Sequence, residues 1–149
     1  MYKRQIYNSV LSEADLQNHV NMMEGGFTYT GAFDDTLNGG DGFDQLYGGD
    51  GRDLFVFEAT SAFNNVDEIN DYSLGDGDTL DVADLLTGFT EGVSDINDFI
   101  QFVNSGSDTL VQIDVDGTVG GANFQNVAQI NDINDLDATT LYNAGAIIV

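Results

Sequence analysis

Apolar residues in this chain rarely run together, and their spacing changes three times along it. Leu16, Val20 and Met23 lie at helical spacing, and Leu11 can meet Leu16 across Ser12 and Asp15, a cap with a hydrophobic staple. Gly25-Gly26 ends that short helix. From residue 30 the helical pattern disappears. Single large apolar residues, Leu37, Leu46 and Phe55, then stand nine apart among Gly and Asp. After residue 93, Ser94 can cap a short helix over 94–99. Ile100–Val103 alternates, a turn falls at 104–108, and Leu110–Val115 resumes the alternation, which predicts a β-hairpin. Phe124–Ile130 reads as another strand. Ala138–Asn143 reads as one helical turn ended near Gly145, before the apolar terminus Ala146-Ile147-Ile148-Val149.

The nine-residue spacing is a repeat. Gly39-Gly40-Asp41-Gly42-Phe43-Asp44-Gln45-Leu46-Tyr47 is followed directly by Gly48-Gly49-Asp50-Gly51-Arg52-Asp53-Leu54-Phe55-Val56. Both fit G-G-x-G-x-D-x-U-x, with U a large apolar residue. A worn copy, 30–38, keeps Gly31, Asp35 and Leu37, and the register is lost after Val56. Six residues of each repeat make a tight turn in which glycine permits positive φ and close backbone approach. The other three make a very short strand whose apolar residue points inward. Turned-in carbonyls with one carboxylate are hard oxygen donors of the kind Ca²⁺ takes. The candidate ligands are Asp35, Gly40, Gly42, Asp44, Gly49, Gly51 and Asp53. One repeat is half a coil, so loop 30–35 is expected to stack on loop 48–53. Loop 39–44 must find a partner outside the array. The expected fold is mainly β: a short Ca²⁺-bound parallel β-roll, then a β-rich cap with one or two short helices.

Charge sharpens this picture. The 149 residues hold 26 acidic and 3 basic side chains, a formal net charge of −23. Such a chain repels phosphate, which excludes nucleic acid as a partner. The ten Phe and six Tyr argue against wholesale disorder. Bound cations would neutralise the rest. No cysteine is present, which removes disulfide and thiol chemistry. No apolar run has the length of a membrane span, so stable membrane insertion is not expected. The single histidine, His19, has no nucleophile or metal cluster beside it. Neither H-E-x-x-H nor G-x-S-x-G occurs, so no catalytic residue is assigned and the chain is read as a non-enzyme.

The tandem copies resemble the RTX (repeats-in-toxin) family of Gram-negative bacteria. Residues 66–86, Val66-Asp67-Glu68-Ile69-Asn70-Asp71-Tyr72 through Asp84-Leu85-Leu86, are similar to the segment that follows such arrays. The resemblance implies that this segment caps the roll. It also implies that Asp67 or Asp71 completes the open site beside Asp44; Asp71 is taken as the ligand, and Asp76, Asp78 and Asp81 are ranked below it. Residues from Asp108 to the terminus resemble the C-terminal target domain of type I secreted adhesins. That likeness implies a secreted, extracellular protein whose uncleaved C-terminus is read by a type I ABC transporter and its outer-membrane conduit. It divides the chain into an N-terminal segment 1–29, a roll 30–65 and a cap with secretion signal 66–149. Met1–Gln5 separately resemble the in-frame translation of a sequencing adapter, which implies that they are foreign and that the chain is a piece of a longer protein. Alternatives within the family are a Ca²⁺-dependent adhesion module, with surface glycans reached through the parent protein, and the non-catalytic tail of a secreted protease or lipase. Asp114-Val115-Asp116-Gly117 resembles half an EF-hand loop, but Gln112 and Asn123 occupy the outer ligand positions, so a polar hairpin end is expected.

Overall fold

The computed structural model describes residues 33–149. The helix expected near 12–24 and the start of the worn repeat, 30–32, lie outside the described residues. The nonapeptide spacing sets the first three strands, β1 (Thr36–Leu37), β2 (Gln45–Leu46) and β3 (Leu54–Val56). Each is too short to stand alone and is held by stacking on the next coil. Two more short strands follow, β4 (Asp67–Ile69) and β5 (Thr79–Asp81). The hairpin is β6 (Ile100–Ser105) and β7 (Asp108–Ile113), and β8 (Gln125–Ile130) lies against it. Helix α1 (Ala138–Asn143) and β9 (Ile147–Ile148) end the chain.

Successive short strands alternate between two sheets. One sheet runs β1-β3-β5-β9 and is wholly parallel. The other runs β2-β4-β8-β7-β6, parallel as far as β8 and antiparallel through the hairpin. Register places Leu37, Phe55, Leu80 and Ile147 in one row and Leu46, Ile69 and Ile130 in the other. All seven are buried, and Phe55, Ile69 and Ile130 are wholly excluded from solvent. These two facing rows form the narrow core of a parallel β-roll. Each apolar side chain so buried contributes roughly 1.5–3 kcal/mol.

The cap is continuous with the roll. β4 and β8 extend one sheet and β5 and β9 the other, so neither sheet breaks at residue 65. The same apolar core continues to the closed end. Phe89 meets Phe99 edge-on at 5.4 Å and Tyr142 at 5.9 Å between ring centroids. The expected helix at 94–99 is a single 3₁₀ turn, Ile96–Asp98, and Asp95 rather than Ser94 caps it by accepting from Asn97 N–H. Ser94 instead accepts from Thr90 N–H. The hairpin turn is tighter than the sequence suggests, with Ser105 directly opposite Asp108. Asp114 is buried at the hairpin end and accepts from Asn123 N–H at 2.6 Å, which makes 114–123 a closed polar turn.

Candidate calcium centre

Short strands require tight loops, and the loops bring the repeat aspartates into two stacks. Asp35, Asp53 and Asp78 occupy one edge of the roll; Asp44 and Asp67 occupy the other. Each stack is laced the same way. Asp35 N–H donates to Asp53 Oδ1, Asp53 N–H to Asp78 Oδ1, and Asp44 N–H to Asp67 Oδ1, all at 2.9 Å. The spacing between partners is 18 residues in the first pair and 25 and 23 in the others. The loop after β3 is therefore longer than a repeat, yet the next coil returns in register.

The second carboxylate oxygens show what the loops lack. Asp44 and Asp53 are each only 1% exposed, and the Oδ2 atom of both is buried without a hydrogen-bond partner. An orphaned charged oxygen of this kind costs on the order of 1–3 kcal/mol or more. Burial pushes the Asp53 carboxyl up to about 6, with Asp78 and Asp35 nearby adding to the rise. Burial pushes Asp67 up to about 6 as well, helped by the charge of Asp44. Among the described residues no cationic side chain answers them. Arg52, the one Lys or Arg beyond residue 4, is exposed and bonds Asp34 at 3.1 Å.

Glycine leaves the space that a cation would use. A methyl built on Gly39 would stand 2.7 Å from Asp67 Oδ2 and 3.2 Å from Asp44 Oδ2, so two carboxylate oxygens converge on a bare Cα. A methyl on Gly48 would overlap Asp53 Oδ2. Gly40, Gly42, Gly49 and Gly51 all hold positive φ, at 77°, 115°, 94° and 132°. That conformation turns the loop backbone in a way side chains resist. Among the described residues no group of three or more His, Cys, Asp or Glu gathers as a metal cluster. The donor set is instead one or two carboxylates with loop carbonyls, which is the hard, oxygen-only chemistry of Ca²⁺.

Residues 29–59 match the family model of the RTX calcium-binding nonapeptide repeat, described as four copies. Residues 29–59 carry RTX calcium repeats. RTX nonapeptide repeats bind Ca²⁺, and in this chain Asp44, Asp53, Asp67 and the glycine-rich loops are the residues that would hold it. Among curated proteins, none matches the chain.

One expected placement is corrected. Asp71 does not complete the site beside Asp44. Its two carboxylate oxygens accept from Gly48 and Gly49 N–H, each at 2.9 Å, on the loop of the following RTX repeat. The aspartate beside Asp44 is Asp67, because β4 pairs with β2 in the register Gln45↔Glu68 and so sets the preceding residues side by side. Asp78, ranked low from sequence, stands in the stack with Asp53. A signal for both was present. The second half of the RTX repeat, D-x-U-x, recurs as Asp67-Glu68-Ile69-Asn70 and Asp78-Thr79-Leu80-Asp81, without the glycines that precede it in a full copy.

Proposed function

We propose that this chain is an RTX export module: an uncleaved C-terminal type I secretion signal that folds when it meets Ca²⁺ outside the cell. The observation that carries the reading is the pair of buried, partnerless carboxylate oxygens on Asp44 and Asp53. They make the folded roll unfavourable until a divalent cation is bound. Cytosolic Ca²⁺ lies far below the roughly 10⁻⁴–10⁻³ M dissociation constants of extracellular calcium modules. With a net charge of −23, the chain stays extended there and can thread a narrow conduit. Outside, Ca²⁺ binds the folded form alone and draws the equilibrium toward it by mass action. The folded end cannot slide back, so folding biases export outward.

β9 is two residues long, pairs on one side with β5 and lies at the edge of its sheet with Ile147 in the core row, so in this scheme it docks only in the folding that follows export. No described helix is long and apolar enough to cross a membrane. The module is read as non-catalytic because neither H-E-x-x-H nor G-x-S-x-G occurs in it. Its partners are the inner-membrane ABC transporter and the outer-membrane conduit.

Circular dichroism tests the folding half. The β signal should appear on titration with millimolar Ca²⁺ and vanish with EDTA; an identical folded signal in both would defeat the reading. Fusion of the chain to the C-terminus of a passenger tests the address. The passenger should leave cells that carry a matching transporter, and removal of residues 146–149 should retain it. Release that ignores that truncation would show that the address lies elsewhere. A glycan array with and without Ca²⁺ separates this module from an adhesive one.

A further inference from the structure

The two edges of the roll treat their aspartates differently. At loop 39–44, Asp67 spends one oxygen on Asp44 N–H, and its other oxygen converges with Asp44 Oδ2 beside Gly39. Two carboxylates of successive coils thus face one space. At loop 48–53 the corresponding aspartate is Asp78, and both of its oxygens are taken: Oδ1 by Asp53 N–H at 2.9 Å and Oδ2 by Ser73 N–H at 2.7 Å. Asp71 is saturated too, by Gly48 and Gly49 N–H. The Ser73 carbonyl is also used, accepting from both Gly77 and Asp78 N–H, so that loop closes on itself instead of offering an oxygen to its neighbour. An N–H aimed at a carboxylate oxygen puts positive charge where a cation would otherwise sit. Of the carboxylates of Asp53, Asp71 and Asp78, Asp53 Oδ2 is the one oxygen left uncommitted.

We infer that the two loops are unequal: loop 39–44 with Asp44 and Asp67 is the high-affinity Ca²⁺ site and fills first, whereas Asp71 and Asp78 are hydrogen-bond clamps that do part of the ion's work at loop 48–53. The inference rests on the calcium reading above. It follows from charge count, since two carboxylates that each keep one uncommitted oxygen attract a divalent ion more strongly than one. It also explains why the coil carrying Asp78 lacks the G-G-x-G turn. A coil clamped by its own amides has no need to turn carbonyls toward a metal.

Isothermal titration of the full chain with CaCl₂ tests this, alongside folding in EDTA driven by trimethylamine N-oxide. Asp67→Asn should weaken the tightest calcium phase tenfold or more while leaving the osmolyte midpoint in EDTA nearly unmoved. Asp71→Asn and Asp78→Asn should leave that phase within about threefold, yet raise the osmolyte midpoint with and without Ca²⁺. If Asp71→Asn or Asp78→Asn removes the tightest phase, or Asp67→Asn spares it, the inference is overturned. Should buried Asp78→Asn fail to fold, half-buried Asp71→Asn decides the point alone. A wild-type chain that takes up no Ca²⁺ at all would overturn the parent reading, and this one with it.

Discussion

Asp53→Asn keeps the shape of a buried side chain and removes its charge, so it separates two roles of the same residue. In the folded chain Asp53 Oδ1 accepts from Asp35 N–H, and Oδ2 is buried with no partner. Without calcium two effects oppose each other. Removing charge from a desolvated, partnerless oxygen relieves about 1–3 kcal/mol, while weakening the Asp35 bond from a charged to a neutral acceptor costs about 1 kcal/mol. The variant in EDTA should therefore match wild type or exceed it by up to about 2 kcal/mol. With calcium the sign reverses. At 10 mM Ca²⁺ and dissociation constants of about 10⁻⁴–10⁻³ M, each bound ion stabilises the fold by about 1.4–2.7 kcal/mol. Asn cannot supply an anionic ligand and should lose most of that from the ion it serves. For a chain of this size the loss reads as a melting temperature lower by about 3–10 °C. The assay is thermal denaturation by circular dichroism in 10 mM CaCl₂, paired with osmolyte-driven folding in EDTA. Equal destabilisation in both conditions would refute the reasoning, because Asp53 would then act only through its hydrogen bond.

Acidity should act oppositely on the calcium-free and calcium-bound forms. Asp53 and Asp67 sit at about 6 in the fold, above the ordinary 3.8, so the calcium-free fold binds protons more tightly than the unfolded chain. Stability in EDTA should rise as pH falls through about 6, with the gain complete near 4; calcium affinity should fall over the same range, and titrations at pH 7.5 and 5.5 check both. Gly51→Ala places a methyl into the Phe33 backbone at a φ of +132°, whereas Gly49→Ala meets open space at +94°. In Ca²⁺ the Gly49 variant should cost about 1 kcal/mol for backbone strain and the Gly51 variant at least twice that, by chemical denaturation. Phe55→Ala, at a wholly buried position between Leu37 and Leu80, should cost about 3–5 kcal/mol in the same assay.

What the sequence determined by itself is local. The nonapeptide requires a tight glycine turn, one carboxylate and one inward apolar residue, and each of these depends on a few adjacent φ angles and one side chain. Leu37, Leu46, Phe55, Asp44 and Asp53 were legible for that reason. The hairpin, the strand at 125–130 and the last helical turn were legible from alternation and caps. The stacking of loop 30–35 on loop 48–53 was legible from the repeat, whereas tertiary structure decided how the coils after Val56 lie on it. The intervals of 23 and 25 residues break the period, so Asp67 rather than Asp71 reaches Asp44, and Asp78 reaches Asp53. It also decided that β8 and β9 extend the two sheets, since β9 adds to β5 from across nearly half the chain. Such pairings depend on the summed burial of Leu80 with Ile147 and Ile69 with Ile130, a quantity that no window of neighbouring residues contains.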